Sequence, residues 1–262
     1  MTNQELSLPE LRTRFLGRPT FHYREVESTQ DILRQLAAEG ALHGTTVLAD
    51  HQTQGRGRQG RIWFSLPPPQ LYASVLLVPP LPDLKVGVLS IAAGLALAQA
   101  MEEHGIADTR VKWPNDVTVN RKKASGILAE RVILRGAAPA VLLGFGINIT
   151  ASLDHFPAGL RDRATALSLH ARDRIGPDRF RLLGTILADL ERFYDEIVRG
   201  DPSAVQLGFR KRWLYRDRQI QIRIGNRLFT GVADEIDPDG ALLLQCGSGE
   251  ALRVVSGEIL PF

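Results

Sequence analysis

The sequence predicts an α+β protein: a larger N-terminal domain of strands and helices, followed by a small C-terminal β-barrel. Three observations carry this expectation. The chain has 262 residues, 44% of them hydrophobic and 23% charged, a globular balance with enough length to bury one large core and a smaller companion. Up to residue 213, strand-like and helix-like runs alternate. Beyond 214 the texture changes to brief alternating strands punctuated by glycine turns. The expected domains are therefore 1–213 and 214–262.

Along the first domain, Ser28 and Thr29 precede the amphipathic set Ile32, Leu33, Leu36 and Ala37, which ends at Gly40 and reads as a capped helix. TTVLAD at 45–50 and LYASVLLV at 71–78 are β-rich. The segment between them holds three glycines and Pro67, Pro68 and Pro69, so it reads as a long loop of the kind that forms lids and binding segments. Residues 84–104 predict a helix that is apolar nearly all round. Its apolar stretch, 86–101, is broken by Gly87, Ser90, Gly94 and Gln99 and is shorter than the roughly 20 residues of a bilayer crossing. A buried helix is expected, and no membrane. VTV at 117–119, Asn120 and Arg121 lead into GILAERVIL as a hairpin, and PAVLLGFGINI at 139–149 reads as a buried strand. Helical periodicity returns at 178–198, followed by a short basic helix near 203–213. IQIRI, RLFTGVADEI, GALLLQC and ALRVV then alternate with the turns Gly225-Asn226, Asp239-Gly240 and Gly247-Ser248-Gly249, as a small barrel requires.

Composition narrows the chemistry. The single cysteine, Cys246, can form neither an internal disulfide nor a cysteine-rich zinc site, and it points to a reducing compartment. The N-terminus carries Glu5 and Glu10 and has neither a cationic start nor an apolar run, so no secretory signal is expected and the cytoplasm is. Net charge is only +3, but arginine supplies 27 of the 32 basic residues, and they cluster. Residues 55–61 carry Arg56, Arg58 and Arg61 with no acid, residues 110–131 carry six bases, and residues 210–227 carry seven. Such clusters point to nucleic acid or nucleotide phosphates, while a solvated basic face fits the third.

GRGRQG at 55–60 satisfies the dinucleotide pattern Gly-x-Gly-x-x-Gly, but RIWFSLPPP follows where a helix must open, and no acid stands about 20 residues further on. What remains is either an exposed linker or a flexible phosphate clamp, in which glycines let backbone amides approach an anion and three guanidiniums offer forked donors. KWPND at 112–116 places Asn115 and Asp116 after a proline-fixed turn. Lys122 and Lys123 are adjacent at the hairpin, where strand alternation sends one inward, toward an anion, and the other to water. GFGIN at 144–148 admits a ligand close to the backbone beside Asn148. The six histidines show no metal-ligand spacing, and neither a nucleophile elbow nor a Walker A lysine occurs.

In combination, GRGRQGRIW, KWPNDV with KKASGIL, GFGIN and the closing IDPDGALLL and GEI resemble the biotin protein ligase family over about residues 26–260. Gln59 stands where the family loop typically has arginine. The resemblance implies a mixed sheet flanked by helices, of the class II synthetase and biotin/lipoate ligase type, with a C-terminal Src-homology-3-like barrel. It implies a two-step reaction in which biotin and MgATP form biotinyl-5'-AMP, and a lysine of a biotin carboxyl carrier domain then takes the biotinyl group. Arg58 and Lys123 would be the principal charges on the phosphates and the biotin carboxylate, and Asp116 would orient or deprotonate the incoming lysine. Ser28, Thr29 and Gln52 would hold the ureido ring and sulfur. Gly55, Arg56, Gly57, Trp63, Gly126, Leu128 and Gly144 would complete the biotin site. Arg61, Trp63, Lys112, Asn115 and Asn148 would serve ATP and the adenylate.

The resemblance identifies no metal ligand, and a homodimer is compatible with it. Relatives that repress transcription carry an N-terminal winged helix, for which the roughly 20 residues here are too few, so DNA binding is not expected. Two rivals stand beside this reading: a lipoate or octanoate protein ligase with the same core fold, and a non-catalytic nucleic-acid-binding protein using the basic clusters.

Overall fold

The computed structural model describes residues 4–68, 70–79, 85–133, 139–172, 176–247 and 251–260. Pro69, residue 84 of the expected helix, and Ser248 and Gly249 of the last turn lie outside the described residues. The first sheet contains β1 (Gln4–Glu5), β2 (Thr20–Val26), β3 (Thr46–Gln52), β4 (Leu71–Leu77), β5 (Thr109–Lys112), β6 (Asp116–Val119), β7 (Lys122–Val132) and β8 (Ala140–Ile147). Their order is β1-β2-β3-β4-β8-β7-β6-β5. Strands β2 and β3 are parallel, joined by the crossover helix α1 (Thr29–Ala38), and the other neighbours are antiparallel, which makes the sheet mixed. The sequence reading passed over β2, although its TFHYREV is rich in β-formers.

Strand alternation sorts the two faces. Val47 and Ala49 of β3, Leu76 of β4 and Leu142 of β8 pack under Leu33 and Ala37 of α1. Their neighbours Leu48, Ala73, Val75, Leu77, Val141 and Leu143 join the other face, covered by α2 (Val86–Glu103) and α3 (Arg179–Val198). Helix α2 is long and apolar enough to cross a membrane by length and composition, yet 72% of that stretch is buried within the protein, as expected for a core helix. Beyond the N-terminal end of α1 the covered face changes character. In place of Leu76 and Leu142 come Ser74, Gly144 and Gly146, with Gly126 paired to Gly146 across β7 and β8. Small residues there leave a hollow on the sheet.

Helix α4 (Ser203–Arg212) leads to the second sheet, whose strands β9 (Gln219–Ile224), β10 (Arg227–Ile236), β11 (Leu242–Cys246), β12 (Ala251–Val254) and β13 (Glu258–Leu260) run antiparallel in the order β12-β11-β10-β9-β13. This is the expected small C-terminal β domain. Its Ile220, Ile222, Ala233 and Leu244 belong to the same apolar cluster as α2 and α3, so the core is continuous between the sheets. The seam is closed by two glycines. A Cβ on Gly87 would sit 2.7 Å from the Asp239 carbonyl, and one on Gly240 would sit 2.5 Å from the Gly87 carbonyl carbon. Beside them, the Trp113 indole N–H donates to the Gly240 carbonyl at 3.1 Å.

Candidate active site

The hollow on the α1 face is the floor of a cleft of about 500 Å³, a size that suits a small-molecule site. Every site residue expected from the sequence lines it, with Gly55 the one exception. Gly55 sits at the hinge of the glycine-rich loop, where its carbonyl accepts from the Trp63 N–H at 2.9 Å and a Cβ would collide with the Trp63 carbonyl. Its glycine is explained by this close backbone approach.

The loop returns on itself as a narrow hairpin. The Gly57 N–H donates to the Arg61 carbonyl at 2.7 Å and the Arg61 N–H to the Arg58 carbonyl at 3.2 Å, with Gln59 exposed at a φ of 56°. The expectation that glycine amides here approach an anion fails for Gly57, whose donor is spent inside the loop. Nor do the three guanidiniums converge on one point. Arg56 pairs with Asp31 at 2.6 Å, and Glu130 lies 3.8 Å away. Arg61 pairs with Glu258 at 2.8 Å. Arg58 donates to Asn115 Oδ1 at 3.2 Å and to Ser256 Oγ at 3.3 Å. Burial pulls the Arg58 guanidinium below its ordinary pKa, Asp116 pushes it back up, and Arg61 adds to the lowering. Arginine keeps its charge throughout.

The β6–β7 hairpin presents Lys123 to the cleft wall, which Lys122 does not reach. Lys123 Nζ lies 2.6 Å from Asp116 Oδ1; both side chains are partly exposed, while that oxygen itself is buried. Its backbone is held on either side, donating to the Arg163 carbonyl at 2.7 Å and accepting from the Thr165 N–H at 2.9 Å. Asn115, besides receiving Arg58, donates to the Ile127 carbonyl at 2.9 Å and so fixes the turn that carries Asp116. The Trp63 indole covers the sheet glycines: a Cβ on Gly126 would come within 2.7 Å of the ring, and one on Gly146 within 2.6 Å. Lys123 Nζ stands 5.4 Å from the ring centroid. Asn148 spends one amide hydrogen on the Thr165 carbonyl at 3.0 Å, which leaves its second hydrogen for a ligand.

The opposite end of the cleft is lined by uncharged polar side chains, with Glu130 and its partner Arg34 behind Gln30. Ser28 caps α1 and also lines the cleft. The Thr29 N–H donates to Gln52 Oε1 at 2.9 Å, and Thr29 Oγ1 lies 2.8 Å from Ser74 Oγ. Ser74 Oγ in turn donates to Gln30 Oε1 at 2.9 Å. All of these residues are buried. The sequence reading missed Ser74 and Gln30. Ser74 is the polar residue in a wholly buried strand, which was a readable signal, whereas Gln30 gave none beyond its place after Ser28 and Thr29.

Among the described residues, no group of three or more His, Cys, Asp or Glu side chains could hold a metal ion. The carboxylates on the cleft wall are Asp116, already paired with Lys123, together with Asp162 and Glu258. Such a sparse donor set fits magnesium carried in on substrate phosphates with most of its water shell, rather than a dedicated cage. In the third basic cluster, Arg210 pairs with Glu235, Arg212 with Glu102, Arg216 with Asp217, and Arg223 with Glu258, the carboxylate that also receives Arg61.

Residues 23–148 match the Biotin/lipoate A/B protein ligase family, and residues 217–260 match the Biotin protein ligase C terminal domain. Over 239 residues the chain is 34% identical to the bifunctional ligase/repressor BirA of Bacillus subtilis, an alignment covering 91% of this chain and 73% of the relative. The chain belongs to the biotin protein ligase family. A second member of that family, the biotin--[acetyl-CoA-carboxylase] ligase of Mycobacterium tuberculosis, is 32% identical over 235 residues, covering 88% of this chain and 84% of the relative. Among solved structures, the biotin protein ligase of Aquifex aeolicus in complex with biotin and ATP superposes with a TM-score of 0.77 at 28% identity, covering 92% of this chain and 97% of that one.

Proposed function

We propose that the chain activates biotin with MgATP to biotinyl-5'-AMP and transfers the biotinyl group to a lysine of a biotin carboxyl carrier domain. The observation that carries this reading is the meeting of GRGRQG, KWPND, KKASG and GFGIN, far apart in sequence, around one cleft with a charged and an uncharged end. A carboxylate and an α-phosphate, both anions, have to be brought together. Lys123 and Arg58 supply the fixed positive charge that offsets their repulsion, and the magnesium on the nucleotide adds to it.

In this reading the uncharged end holds the ureido ring through Ser28, Thr29 and Gln52, and Gly126, Leu128 and Gly144 flank the ring and its side chain. Trp63 and Asn148 serve the adenine, with Lys112 adding positive field nearby. Asp116, paired with Lys123 in the free protein, is released when anions occupy Lys123. It is then placed to accept a proton from the incoming lysine, whose ammonium has no lone pair to attack with. Arg56 and Arg61 exchange their acidic partners for phosphate as the loop settles over the adenylate and excludes water. The catalytic part is taken as 1–213 and the C-terminal part as 214–262, and the ATP requirement supports a cytoplasmic setting.

The test is a streptavidin blot of a carrier domain incubated with the protein, biotin, ATP and magnesium. A signal that needs all four components is expected. Parallel reactions with lipoate and octanoate separate the rival acyl ligase, and lipoate transfer without biotin transfer would overturn the proposal.

A further inference from the structure

Gln30 is a buried amide that no step above uses. Its Nε2 faces three acceptors: the Leu128 carbonyl at 3.2 Å, the Leu142 carbonyl at 3.1 Å and Glu130 Oε2 at 3.2 Å. An amide oxygen turned toward those three oxygens would be repelled by each, so the orientation of the group is dictated by its surroundings. Oε1 is left 2.9 Å from Ser74 Oγ, and only the Ser74 hydroxyl can supply the hydrogen. Ser74 has a single proton, so its 2.8 Å contact with Thr29 Oγ1 takes the Thr29 proton, in preference to the longer 3.2 Å contact of Thr29 Oγ1 with Gln52 Oε1. Gln52 Oε1 is then satisfied by the Thr29 backbone N–H at 2.9 Å, and Gln52 lines the cleft with its Nε2 3.1 Å from where a Gly55 Cβ would stand.

We infer that Gln30 is a positioning residue that sets the direction of this hydroxyl chain, so that Ser74 and Thr29 present lone pairs and Gln52 presents an N–H to the ring of the substrate. A cyclic urea offers two N–H donors and one carbonyl acceptor, matching two lone-pair acceptors and one N–H in number and kind. The dithiolane of lipoate and an alkyl chain offer no N–H at all. The proton order selects for the ureido group. A site with the Ser74 proton free to rotate would discriminate less, because the hydroxyls could then turn a hydrogen toward the ligand. This inference rests on the proposed biotin chemistry and deepens it.

The test is the variant Gln30→Met, similar in length but unable to anchor the Ser74 proton, with Gln30→Glu as its partner. In Gln30→Glu a protonated carboxyl reproduces the amide, with O–H toward the carbonyls and C=O toward Ser74, whereas an ionised one does not. The charged groups facing this position are Glu130 and, through it, Arg34 and Arg56. For Gln30→Met the expected result is a rise of about tenfold in the KM for biotin, the scale of one lost buried hydrogen bond. Turnover at saturating biotin and the KM for ATP should stay as in the parent, and the melting temperature should stay within a few degrees. For Gln30→Glu, the biotin KM should fall toward the parent value as pH is lowered, relative to the parent over the same range.

An unchanged biotin KM in Gln30→Met overturns the inference. So does a parallel loss of turnover, ATP affinity and melting temperature, which would mark a purely structural role. If Gln30→Met does not fold, the pH response of Gln30→Glu decides alone, and a flat one overturns the inference. Absence of biotin turnover in the parent protein would sink the biotin reading itself, a separate outcome.

Discussion

The two ends of the cleft are built on opposite principles. At the loop end, charges are held by exposed partners: Arg61 and Glu258 have 61% and 41% of their side chains accessible, and Arg56 and Asp31 have 39% and 44%. Exposed pairs of this kind are worth about 0–1 kcal/mol each and exchange readily for a better anion. At the ring end, Thr29, Gln30, Gln52 and Ser74 are buried and hydrogen-bonded in a chain, and a broken hydrogen bond there costs about 1–3 kcal/mol. The loop end is displaceable, while the ring end is preorganised. A substrate with a neutral ring and a charged reacting end meets a rigid template for the part that must be recognised and a yielding one for the part that must be enclosed.

The sharpest break of this comparison is Lys123→Ala. It removes a cation that stands in the cleft and leaves Asp116 without its partner, so adenylation should fall by at least about a hundredfold, read as biotin-dependent pyrophosphate release. Normal synthesis of the adenylate would refute the role given to Lys123. Next in size is Gly146→Ala, whose Cβ would meet the Trp63 indole at 2.6 Å. The ring has to move off the sheet, and the ATP KM should rise by about tenfold while biotin binding, measured calorimetrically, changes less.

Arg58→Gly should weaken retention of the adenylate, so that free intermediate labels bystander lysines. Unaltered release of labelled adenylate counts against the clamping role.

The smallest effect comes from a pair of like substitutions. Glu191 on α3 is a buried carboxylate that receives the backbone N–H groups of Arg14, Phe15 and Leu16 at 2.8, 3.0 and 3.0 Å. Burial pushes its pKa up, but those amides together with the Arg14 side chain outweigh it, and the carboxyl is held below its ordinary range. A depressed carboxyl contributes stability that is present above its unfolded pKa and is lost as pH falls through the folded one. Glu191→Gln should therefore cost about 1–3 kcal/mol at neutral pH and flatten the acid side of the stability profile. Glu258→Gln at the displaceable end should stay within about 0.5 kcal/mol. Equal costs in denaturant titrations would erase the contrast between buried and exposed charge.

Much of this was legible from the chain alone, because the signals are local. Capping of α1 by Ser28, the apolar α2, the Asn120-Arg121 hairpin and the glycine turns of the second sheet depend on neighbours a few residues apart. The motif residues were likewise readable as chemical types, and all but Gly55 line the cleft. Strand β13, three residues long, was too short to carry a period. The second-sheet partner of the loop, Glu258, stands 197 residues from Arg61, and no spacing rule connects them.

The sequence by itself determined which segments become strands and helices and which side chains are able to neutralise phosphate, since periodicity and side-chain chemistry are properties of short stretches. Only the tertiary structure decided which charges are paired before substrate arrives, that Gly57 spends its amide inside the loop, and which way the Gln30 amide points. The charge pairs and the Gln30 amide are set by close approaches between segments remote in the chain, where the energy of each group depends on what the fold has placed opposite it.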